Sequence, residues 1–375
     1  MIRTALRPPC LALLLAVACE KQSVAPTASP EPQQPMPAAQ AQTATAGGET
    51  PTTVADKQPT PDPAQEQAKQ LTRANQELEA ETAKEATRWT PELHEQTKTL
   101  VSKKHGTMKK ALRAALESNH RKPGHAERDQ YRHPIETMEF FGLKPTMTVV
   151  ELGPGTGWWT EILAVVLYQK GKLVVPTMDP HSQDPMAAWF GKATAALLDK
   201  SPELFGKVER VINVDMDPKK MKFGEPESAD MVLVMRHLHN WHRNKSLADY
   251  LAASYVVLKP GGVLAVEQHR AHPDANPDES APKGYMPEAW VIQQVEAAGF
   301  QLAGKSDINA NAKDTKDHPA GVWSLPPSYA LGDKDREKYS SIGESDRMTL
   351  KFVKPKNAGK AKAREKPAAE PKPKP

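Results

Sequence analysis

The sequence predicts an α/β protein whose core is a doubly wound, mostly parallel sheet of seven strands, preceded by a helical extension. Short runs rich in β-branched residues, such as 148–150, 231–235 and 262–266, predict buried strands. Segments with helical spacing of apolar residues alternate with these runs, and a glycine-rich loop directly follows the first run. Because alternating strands and helices form parallel sheets, we expect ligands to bind at the carboxyl ends of the strands.

The domain is predicted to span residues 131–354, with its elements in a regular order. Strands are assigned where apolar, β-branched runs are short, and helices where apolar residues recur at intervals of three and four over longer stretches. The expected strands are 147–152, 172–178, 207–214, 230–235, 262–268, 301–308 and 347–354. The expected helices are 157–169, 185–199, 245–258 and 286–298. The last strand is expected to pair antiparallel, and the long polar stretch 309–346 before it is expected to form a lid or insertion.

The segments outside this domain differ from it in composition. Residues 20–65 are rich in Pro, Ala, Gln and Thr, which predicts a disordered tether. Residues 66–130 favour helices, which form either a stalk or cap, or a helix pair packed on the domain. Residues 355–375 alternate Lys and Arg with Pro and Ala, which predicts a disordered, solvated basic tail. Contact of this tail with an anionic lipid surface is the alternative.

The N-terminal segment, residues 1–19, has the pattern of an export signal. Two arginines precede an apolar stretch at 11–18 that is too short to remain as a membrane-spanning helix. Small residues end the stretch before Cys19, as in a bacterial lipobox, which would make Cys19 the lipidated first residue of the mature chain. Ala16 stands where that pattern usually has Leu, so an ordinary Ala-x-Ala cleavage site is the alternative. We therefore expect an exported bacterial protein, in the periplasm or anchored to the outer membrane.

The cysteine content and the net charge exclude several classes of protein. The chain holds two cysteines, Cys10 and Cys19, and a formal net charge of +4. Cys10 lies inside the predicted signal, so the mature chain has no pair to form a disulfide and no thiolate metal cluster. Much of the positive charge comes from the C-terminal tail, and it does not favour nucleic acid as a partner.

A glycine-rich loop is the strongest chemical signal in the sequence. Gly153, Gly155 and Gly157 follow a predicted strand and open a helix, so the backbone can turn sharply and approach a ligand. A dinucleotide fingerprint requires Gly-x-Gly-x-x-Gly, but its last position here is Trp158. The Gly-x-Gly-x-Gly spacing therefore predicts a nucleotide-like ligand other than a dinucleotide.

The strand ending at Glu151, followed by this loop, resembles motif I of the class I methyltransferases, whose fold is a Rossmann-like seven-stranded sheet. Further runs extend the resemblance to a family of exported bacterial predicted methyltransferases, over about residues 110–355. These runs are Arg132-His133-Pro134, Phe140-Phe141-Gly142, 151–163, 236–241, 267–270 and 343–348. The resemblance implies S-adenosyl-L-methionine as the cofactor.

The resemblance also implies which residues bind the cofactor. They are Glu151, Gly153, Pro154, Gly155, Gly157, Trp158, Asp179 and Asp217. Glu151 would lie near the methionine part, Asp179 would accept the ribose hydroxyls, and Asp217, or its competitor Asp215, would approach the adenine. The ring of Trp158, or of the tryptophan after it, would face the cationic sulfonium, with core packing the alternative for at least one of the two.

Polar residues follow the fourth and fifth predicted strands, which end on the ligand side of the sheet. We expect His239 to act as a base and Arg236 to anchor an acidic group of the substrate, with Asn240 and His269 beside them. The alternative is that these side chains only cap helices, pair with one another or shape the loops. Five histidines lack an established metal-ligand spacing, so we predict no metal, and convergence on zinc or copper is the alternative. They are His237, His239, His242, His269 and His272.

The sequence thus predicts an S-adenosylmethionine-dependent methyltransferase that acts on a small molecule or an envelope component and is held at a membrane through Cys19. Export separates such an enzyme from the cytoplasm, where its cofactor is made. The alternative is therefore an exported ligand-binding lipoprotein that has a methyltransferase fold and transfers no methyl group. An NAD-linked enzyme is disfavoured by Trp158 in the glycine loop.

Overall fold

A computed structural model of the protein describes residues 63–213 and 216–356. The predicted signal, with Cys19, lies outside these residues, as do Asp215, the tether except for residues 63–65 and the basic tail except for residues 355 and 356. The strands are β1 Thr148–Leu152, β2 Lys172–Met178, β3 Glu209–Asn213, β4 Ala229–Met235, β5 Leu258–His269, β6 Gln301–Ser306 and β7 Arg347–Val353. They form one sheet in the order β3-β2-β1-β4-β5-β7-β6, in which β7 runs antiparallel to both neighbours and the other pairs are parallel. The predicted fold class and the antiparallel last strand are confirmed.

Helices precede the sheet and fill most of the connections between its strands. They are α1 Pro63–Arg88, α2 Pro91–Ser102, α3 Met108–Leu116, α4 Asp129–Arg132, α5 Pro134–Phe141, α6 Trp158–Leu167, α7 Pro185–Asp199, α8 Pro202–Phe205, α9 Leu238–Arg243, α10 Leu247–Val257, α11 Pro277–Ser280, α12 Glu288–Ala297 and α13 Arg336–Ile342. Among these described helices, none is long and apolar enough to span a membrane.

One strand boundary and one helix differ from the sequence prediction for local reasons. Strand β5 begins at Leu258, four residues early, because Leu258 pairs with Ala229 of β4 before an irregularity restores the regular register. Helix α9 follows closely after β4 and was not expected. It has only six residues, of which His239 and Trp241 are buried, and such a short element leaves little periodicity in the sequence.

Side chains of the central strands point alternately to the two faces of the sheet, where they belong to two apolar layers. In β4, Met231 and Leu233 belong to the layer covered by α2, α3, α5, α6 and α8, whereas Val232 and Val234 belong to the layer covered by α10 and α12. The extension contributes Leu112, which is fully buried in the first layer. Helices α2 and α3 therefore pack on the domain as part of its core.

A buried carboxylate, that of Glu161 in α6, joins the extension to the domain. His125 Nδ1 lies 2.8 Å from its Oε2, Lys200 Nζ lies 3.0 Å from its Oε1, and the backbone N–H of Lys122 donates to it at 3.1 Å. Lys200 also pairs with Glu85 of α1 at 3.1 Å. Burial raises the pKa of the Glu161 carboxyl, but the bond to His125 and the charge of Lys200 outweigh burial and lower this pKa to about 2.

Replacing Glu161 with Gln is expected to lower the free energy of unfolding by about 3–5 kcal/mol, because the ammonium of Lys200 loses a buried counter-charge. Chemical denaturation of the full-length protein, followed by circular dichroism, measures this loss. Glu209→Gln is the matched control, since Glu209 pairs with Lys172 at a surface where their side chains are 44% and 51% exposed. The control is expected to cost less than about 1 kcal/mol, and equal losses for the two variants would contradict the assignment.

Candidate functional site

A groove crosses the carboxyl ends of β1, β2, β4 and β5, and the glycine loop divides it into two cavities. The larger cavity has a volume of about 310 Å³ and the smaller one about 160 Å³. Both are lined by Leu152, Gly153, Pro154, Phe190, Thr194, His237 and Asn240. The groove therefore lies where an open α/β sheet is expected to bind a ligand.

Each glycine of the loop has a backbone conformation that disfavours a side chain. Gly153, Gly155 and Gly157 have φ values of 64°, 56° and 92°. A Cβ on Gly153 would lie 2.4 Å from His237 Nε2, and a Cβ on Gly157 would lie 2.4 Å from a methyl carbon of Leu197. A Cβ on Gly155 would meet no described atom within 4 Å, and Gly155 lines the larger cavity. The first and third glycines serve packing, and the second leaves space for a ligand.

Side chains from outside the loop hold it in place. The ring nitrogen Nε2 of His237 lies 3.0 Å from the carbonyl oxygen of Gly153 and donates to it. His125 Nε2 lies 3.2 Å from Thr156 Oγ1, and Trp158 Nε1 donates to the carbonyl of His125 at 2.8 Å. Because His125 also bonds to Glu161, the loop is connected to the buried carboxylate network described above.

Glu151 is the last but one residue of β1, and its buried carboxyl group lines the larger cavity. Its Oε2 atom has no hydrogen-bond partner among the described residues. Burial raises the pKa of this carboxyl group to about 7. Since an unpaired buried carboxylate is costly, Glu151 is suited to a cationic or hydrogen-bond-donating group of a ligand.

The smaller cavity has an apolar wall suited to a flat ring. It is lined by Met216, Met221, Phe223, Trp241 and Tyr250. The rings of Trp241 and Tyr250 stack with their centroids 4.5 Å apart. Such walls bind planar ligands through contact area, while a few polar groups fix their orientation.

The two predicted aspartates do not line either cavity. Asp179 Oδ1 accepts the backbone N–H of His181 at 2.8 Å, and Asp217 Oδ1 accepts that of Lys219 at 3.1 Å. Each carboxylate caps the turn in which it stands, an arrangement favoured by aspartate after a strand. Their neighbours Met178 and Met216 line the smaller cavity instead. The roles of Asp179 and Asp217 at ribose and adenine therefore stay predictions.

Trp158 lines the larger cavity, but cations of the protein already contact its ring. The guanidinium carbons of Arg132 and Arg121 lie 4.7 Å and 5.3 Å from the ring centroid. Trp159 meets Trp158 edge-on, with the ring centroids 4.6 Å apart, and lines the same cavity. The structure thus gives Trp158 both a packing role and an arginine contact.

His239 is buried at the larger cavity, and its tautomer follows from its neighbour Gln268. The Gln268 amide oxygen accepts the backbone N–H of Leu238 at 3.1 Å, and its Nε2 donates to the carbonyl of Gly284 at 2.9 Å. The same Nε2 lies 3.1 Å from His239 Nδ1, which must accept. Nε2 of His239 therefore carries the hydrogen, and desolvation by burial lowers the pKa of the ring to about 3.

Arg236 and His269 also line the larger cavity, and both have protein partners. Arg236 has a φ of 65°, and its Nη1 lies 2.6 Å from Glu267 Oε1. His269 Nδ1 lies 2.5 Å from Ser345 Oγ, and its ring centroid is 5.8 Å from that of His239. The structure thus brings together the four predicted catalytic residues, because Asn240 lines the cavity with them.

A cluster of arginines and glutamates, which we call the arginine cluster, forms one end of the larger cavity. Its members are Arg128, Arg132, Arg236, Arg347, Glu267 and Glu344. The carboxylate of Glu344 lies 2.7 Å from Arg128 Nε, 3.1 Å from Arg132 Nε and 2.7 Å from Arg347 Nη1. Glu267 is 3.5 Å from Arg347 Nη1. The sequence alone predicted no role for Arg128, Arg132 or Glu344. Its one relevant signal was the four-residue spacing of Arg128 and Arg132, which is typical of two residues on the same face of a helix.

Part of the segment predicted as a lid or insertion, 309–346, forms a wall of the larger cavity. The lining residues from this segment are Val322, Trp323, Pro326, Pro327, Ser328, Glu344 and Ser345. A buried carboxylate anchors the segment, since Asp314 accepts Tyr285 Oη at 2.9 Å and the backbone N–H of Asp346 at 2.8 Å. The segment therefore contributes to the site, and its movement as a lid stays a prediction.

The five histidines considered for a metal are not arranged as a set of metal ligands. His242 Nε2 lies 2.7 Å from Asp278 Oδ1, and His272 Nε2 lies 3.2 Å from the carbonyl of Thr315. His237 is bonded to Gly153, as described above. Within residues 63–213 and 216–356, no group of three or more His, Cys, Asp or Glu is arranged to hold a metal ion.

The comparisons with known proteins concern the part of the chain that builds this groove. Residues 124–303 match a family model described as a methyltransferase domain. No curated protein sequence matches the chain. The family match, together with the strand order, supports the class I methyltransferase superfamily and implies S-adenosylmethionine as the cofactor.

Several solved structures are similar in fold at low identity. A SAM-dependent methyltransferase from Aquifex aeolicus is 16% identical, with a TM-score of 0.39, over 61% of this chain and 93% of its own. A putative methyltransferase from Bacillus halodurans C-125 is 18% identical, with a TM-score of 0.37, over 59% and 97%. The [4+2]-cyclase SpnF is 17% identical, with a TM-score of 0.42, over 63% and 85%. At these values, none of the likenesses bears on the activity of this chain.

Stability is expected to fall as the pH is lowered from about 6.5 to 4.5. Burial lowers the pKa values of His120 and His237 to about 4 and that of His239 to about 3, and it lowers the pKa of His269 well below its usual value. The unfolded chain therefore takes up protons on these four rings in this range that the folded chain does not. Glu151, whose pKa burial raises to about 7, opposes this trend because the folded chain takes up its proton first. The net loss is roughly 2–4 kcal/mol per pH unit.

Denaturation of the full-length protein at a series of pH values measures this slope. His239→Gln is expected to make the slope shallower, because it removes one of the four buried histidines whose lowered pKa values favour acid unfolding. Stability that stays constant or rises between pH 6.5 and 4.5 would contradict the assignment of neutral, buried rings.

Proposed function

We propose that the protein is an S-adenosylmethionine-dependent methyltransferase that acts on a small molecule. The observation that supports this most directly is the open face of Gly155 in the cavity that Glu151 also lines, in a region that matches a methyltransferase domain. The buried Oε2 atom of Glu151 has no partner among the described residues. A Rossmann-like loop with space for a ligand and an acid with a free acceptor atom fit a cofactor that carries an amino-acid end.

The residues of the two cavities fit the parts of this cofactor. Glu151 would pair with the ammonium group of the methionine end, which would satisfy its free oxygen and favour its ionised form. The backbone at Gly155 allows close approach of the chain to the ligand. The apolar wall formed by Phe223 and Tyr250, among others, would hold the adenine ring in the smaller cavity. The residues of the larger cavity would then surround the reacting end.

When bound, the cofactor would supply a methyl group on a cationic sulfur for transfer to a nucleophilic atom of the acceptor. The residues of the chain hold the acceptor in line and exclude water. His239, with hydrogen on Nε2, donates a hydrogen bond to the acceptor and orients it. His269 accepts the acceptor's proton at Nε2 when its Nδ1–H donates to Ser345. Arg236 and Asn240 bind polar groups of the acceptor.

Titration calorimetry with the full-length protein tests cofactor binding. S-adenosylmethionine and S-adenosylhomocysteine are expected to bind, and NAD is not. Gly155→Val is expected to abolish binding, because its side chain fills the space where the ligand approaches. Gly332→Val is the matched control: Gly332 has a similar φ of 65° and open space at its Cβ, and it lines neither cavity.

If neither S-adenosylmethionine nor S-adenosylhomocysteine binds, the proposal is wrong. If Gly155→Val and Gly332→Val bind the cofactor equally well, the glycine loop is a structural turn that does not contact the ligand. Transfer of a labelled methyl group from the cofactor to material extracted from the cell envelope or to small-molecule pools then separates catalysis from simple binding. Binding without any transfer would favour the alternative, an exported ligand-binding lipoprotein with this fold.

We further propose that the chain is exported and that Cys19 carries the lipid anchor, as the sequence of residues 11–19 suggests. In bacteria fed labelled palmitate, the full-length protein is expected to incorporate label and to fractionate with membranes. Cys19→Ala is expected to lose both properties, whereas Cys10→Ala is expected to keep them. Export without label in the unchanged chain would favour the ordinary cleavage site after Ala18.

A further inference from the structure

The arginine cluster carries more positive charge than its own carboxylates neutralise. Its four guanidinium groups face two carboxylates, those of Glu267 and Glu344, which leaves two positive charges among the described residues of the cluster. The side chains of Arg132 and Arg347, which both pair with Glu344, are only 3% and 1% exposed. Those of Arg128 and Arg236 line the larger cavity and are each 19% exposed. The excess charge therefore borders the cavity, where a ligand can supply the missing counter-charge.

The remaining groups that face this end of the cavity do not supply it. Desolvation lowers the pKa values of His237, His239 and His269, so these rings are neutral near pH 7 and add no charge of either sign. Asn309 donates its amide to Glu267 Oε2 at 3.3 Å and is neutral as well. Asp346 is already paired with Arg270 at 3.0 Å and with Lys316 at 3.0 Å.

The cofactor of the proposed function does not supply the counter-charge either. Its carboxylate is negative, but its ammonium and sulfonium groups are both positive, so the molecule is a net cation. When the ammonium pairs with Glu151, the net charge of the cofactor and Glu151 together is zero. The excess positive charge of the arginine cluster is then unchanged. A second, negatively charged ligand is needed at this end of the cavity.

Unpaired donors elsewhere in the wall point to the same kind of ligand. Trp159 and Trp189 line the larger cavity, and their buried indole nitrogens have no acceptor among the described residues. Nε of Arg347, a member of the arginine cluster that does not itself line the cavity, is likewise unpaired. Trp323 adds a further aromatic side chain to the wall. Apart from Glu151, the unsatisfied groups at this cavity are thus hydrogen-bond donors set among large apolar rings.

We propose that the methyl acceptor is a small organic anion, whose carboxylate or phosphate group binds to Arg128, Arg132 and Arg236 while its apolar body packs against the tryptophans of the larger cavity. This inference rests on the proposed function, because it names the class of acceptor for the same site. Planar guanidinium groups suit both anions, which they bind through paired N–H donors.

The test uses two model anions and a neutral analogue of similar shape: benzoate, phenyl phosphate and benzamide. Each is titrated into the full-length protein, with and without saturating S-adenosylhomocysteine. At least one anion is expected to bind the saturated protein roughly tenfold more tightly than benzamide does. Arg128→Gln and Arg236→Gln are each expected to weaken that anion about fivefold or more while the affinity for S-adenosylhomocysteine stays within about twofold.

Two further variants control for charge and geometry. Arg210→Gln removes one positive charge from an exposed pair with Asp199 outside both cavities and is expected to leave anion binding unchanged. Arg236→Lys keeps the positive charge but lacks the planar guanidinium group. Its affinity for the anion is expected to lie between those of the unchanged protein and of Arg236→Gln. Because Arg128 lies on a different element from Arg236, loss of folding in one variant leaves the other as the test.

Three outcomes overturn the inference. Equal binding of benzamide and the anions would show that the excess charge does not select a ligand. Anions that displace S-adenosylhomocysteine, or arginine variants that weaken the cofactor product instead of the anion, would assign the arginines to the cofactor's carboxylate. Failure of the unchanged protein to bind S-adenosylhomocysteine would remove the proposed function, and anion binding measured without it would then decide whether the arginine cluster is an anion site at all.

Discussion

The geometry of the glycine loop depends on a carboxylate that does not line the groove. Glu161 is fully buried in α6, where His125 and Lys200 compensate its charge. His125 uses its second ring nitrogen to reach Thr156 in the loop, and Lys200 continues the network to Glu85 in the extension. The helices before the sheet are therefore part of the support of the binding loop. A buried ion network of this kind has one arrangement that satisfies every charge, and this favours a single loop geometry.

The larger cavity combines rings without charge and guanidinium groups with permanent charge. His239 and His269 lie in an environment that disfavours their protonation, so they offer hydrogen bonds and a weakly basic nitrogen near neutral pH. Burial lowers the pKa of Arg236, but a guanidinium group starts so far above neutrality that it keeps its charge near pH 7. Binding of an anionic acceptor and handling of its proton are thus assigned to different residues. An acceptor held by Arg236 is placed beside two neutral imidazoles.

Some site residues could be predicted because their signal is local. Gly153, Gly155 and Gly157 follow a strand and precede a helix, and Glu151 is the last but one residue of that strand, so topology alone places them at the ligand edge. Arg128 and Glu344 gave no such signal. They are 216 positions apart and meet because β7 inserts between β5 and β6 and brings its preceding loop to the cavity. Asp179 shows the opposite case, since its position was right for a ligand contact but its carboxylate caps its own turn.

The sequence by itself determined the order of the strands and helices along the chain, the position of the glycine loop and the polar character of the segments after β4 and β5. These follow from periodicity and chain direction, which act over a few residues at a time. Only the tertiary structure decided the tautomer of His239, the pairing of the arginine cluster and the exclusion of Asp179 and Asp217 from the groove wall. Each of these depends on which distant groups share a buried space, because charge and hydrogen-bond balance are settled by neighbours in three dimensions.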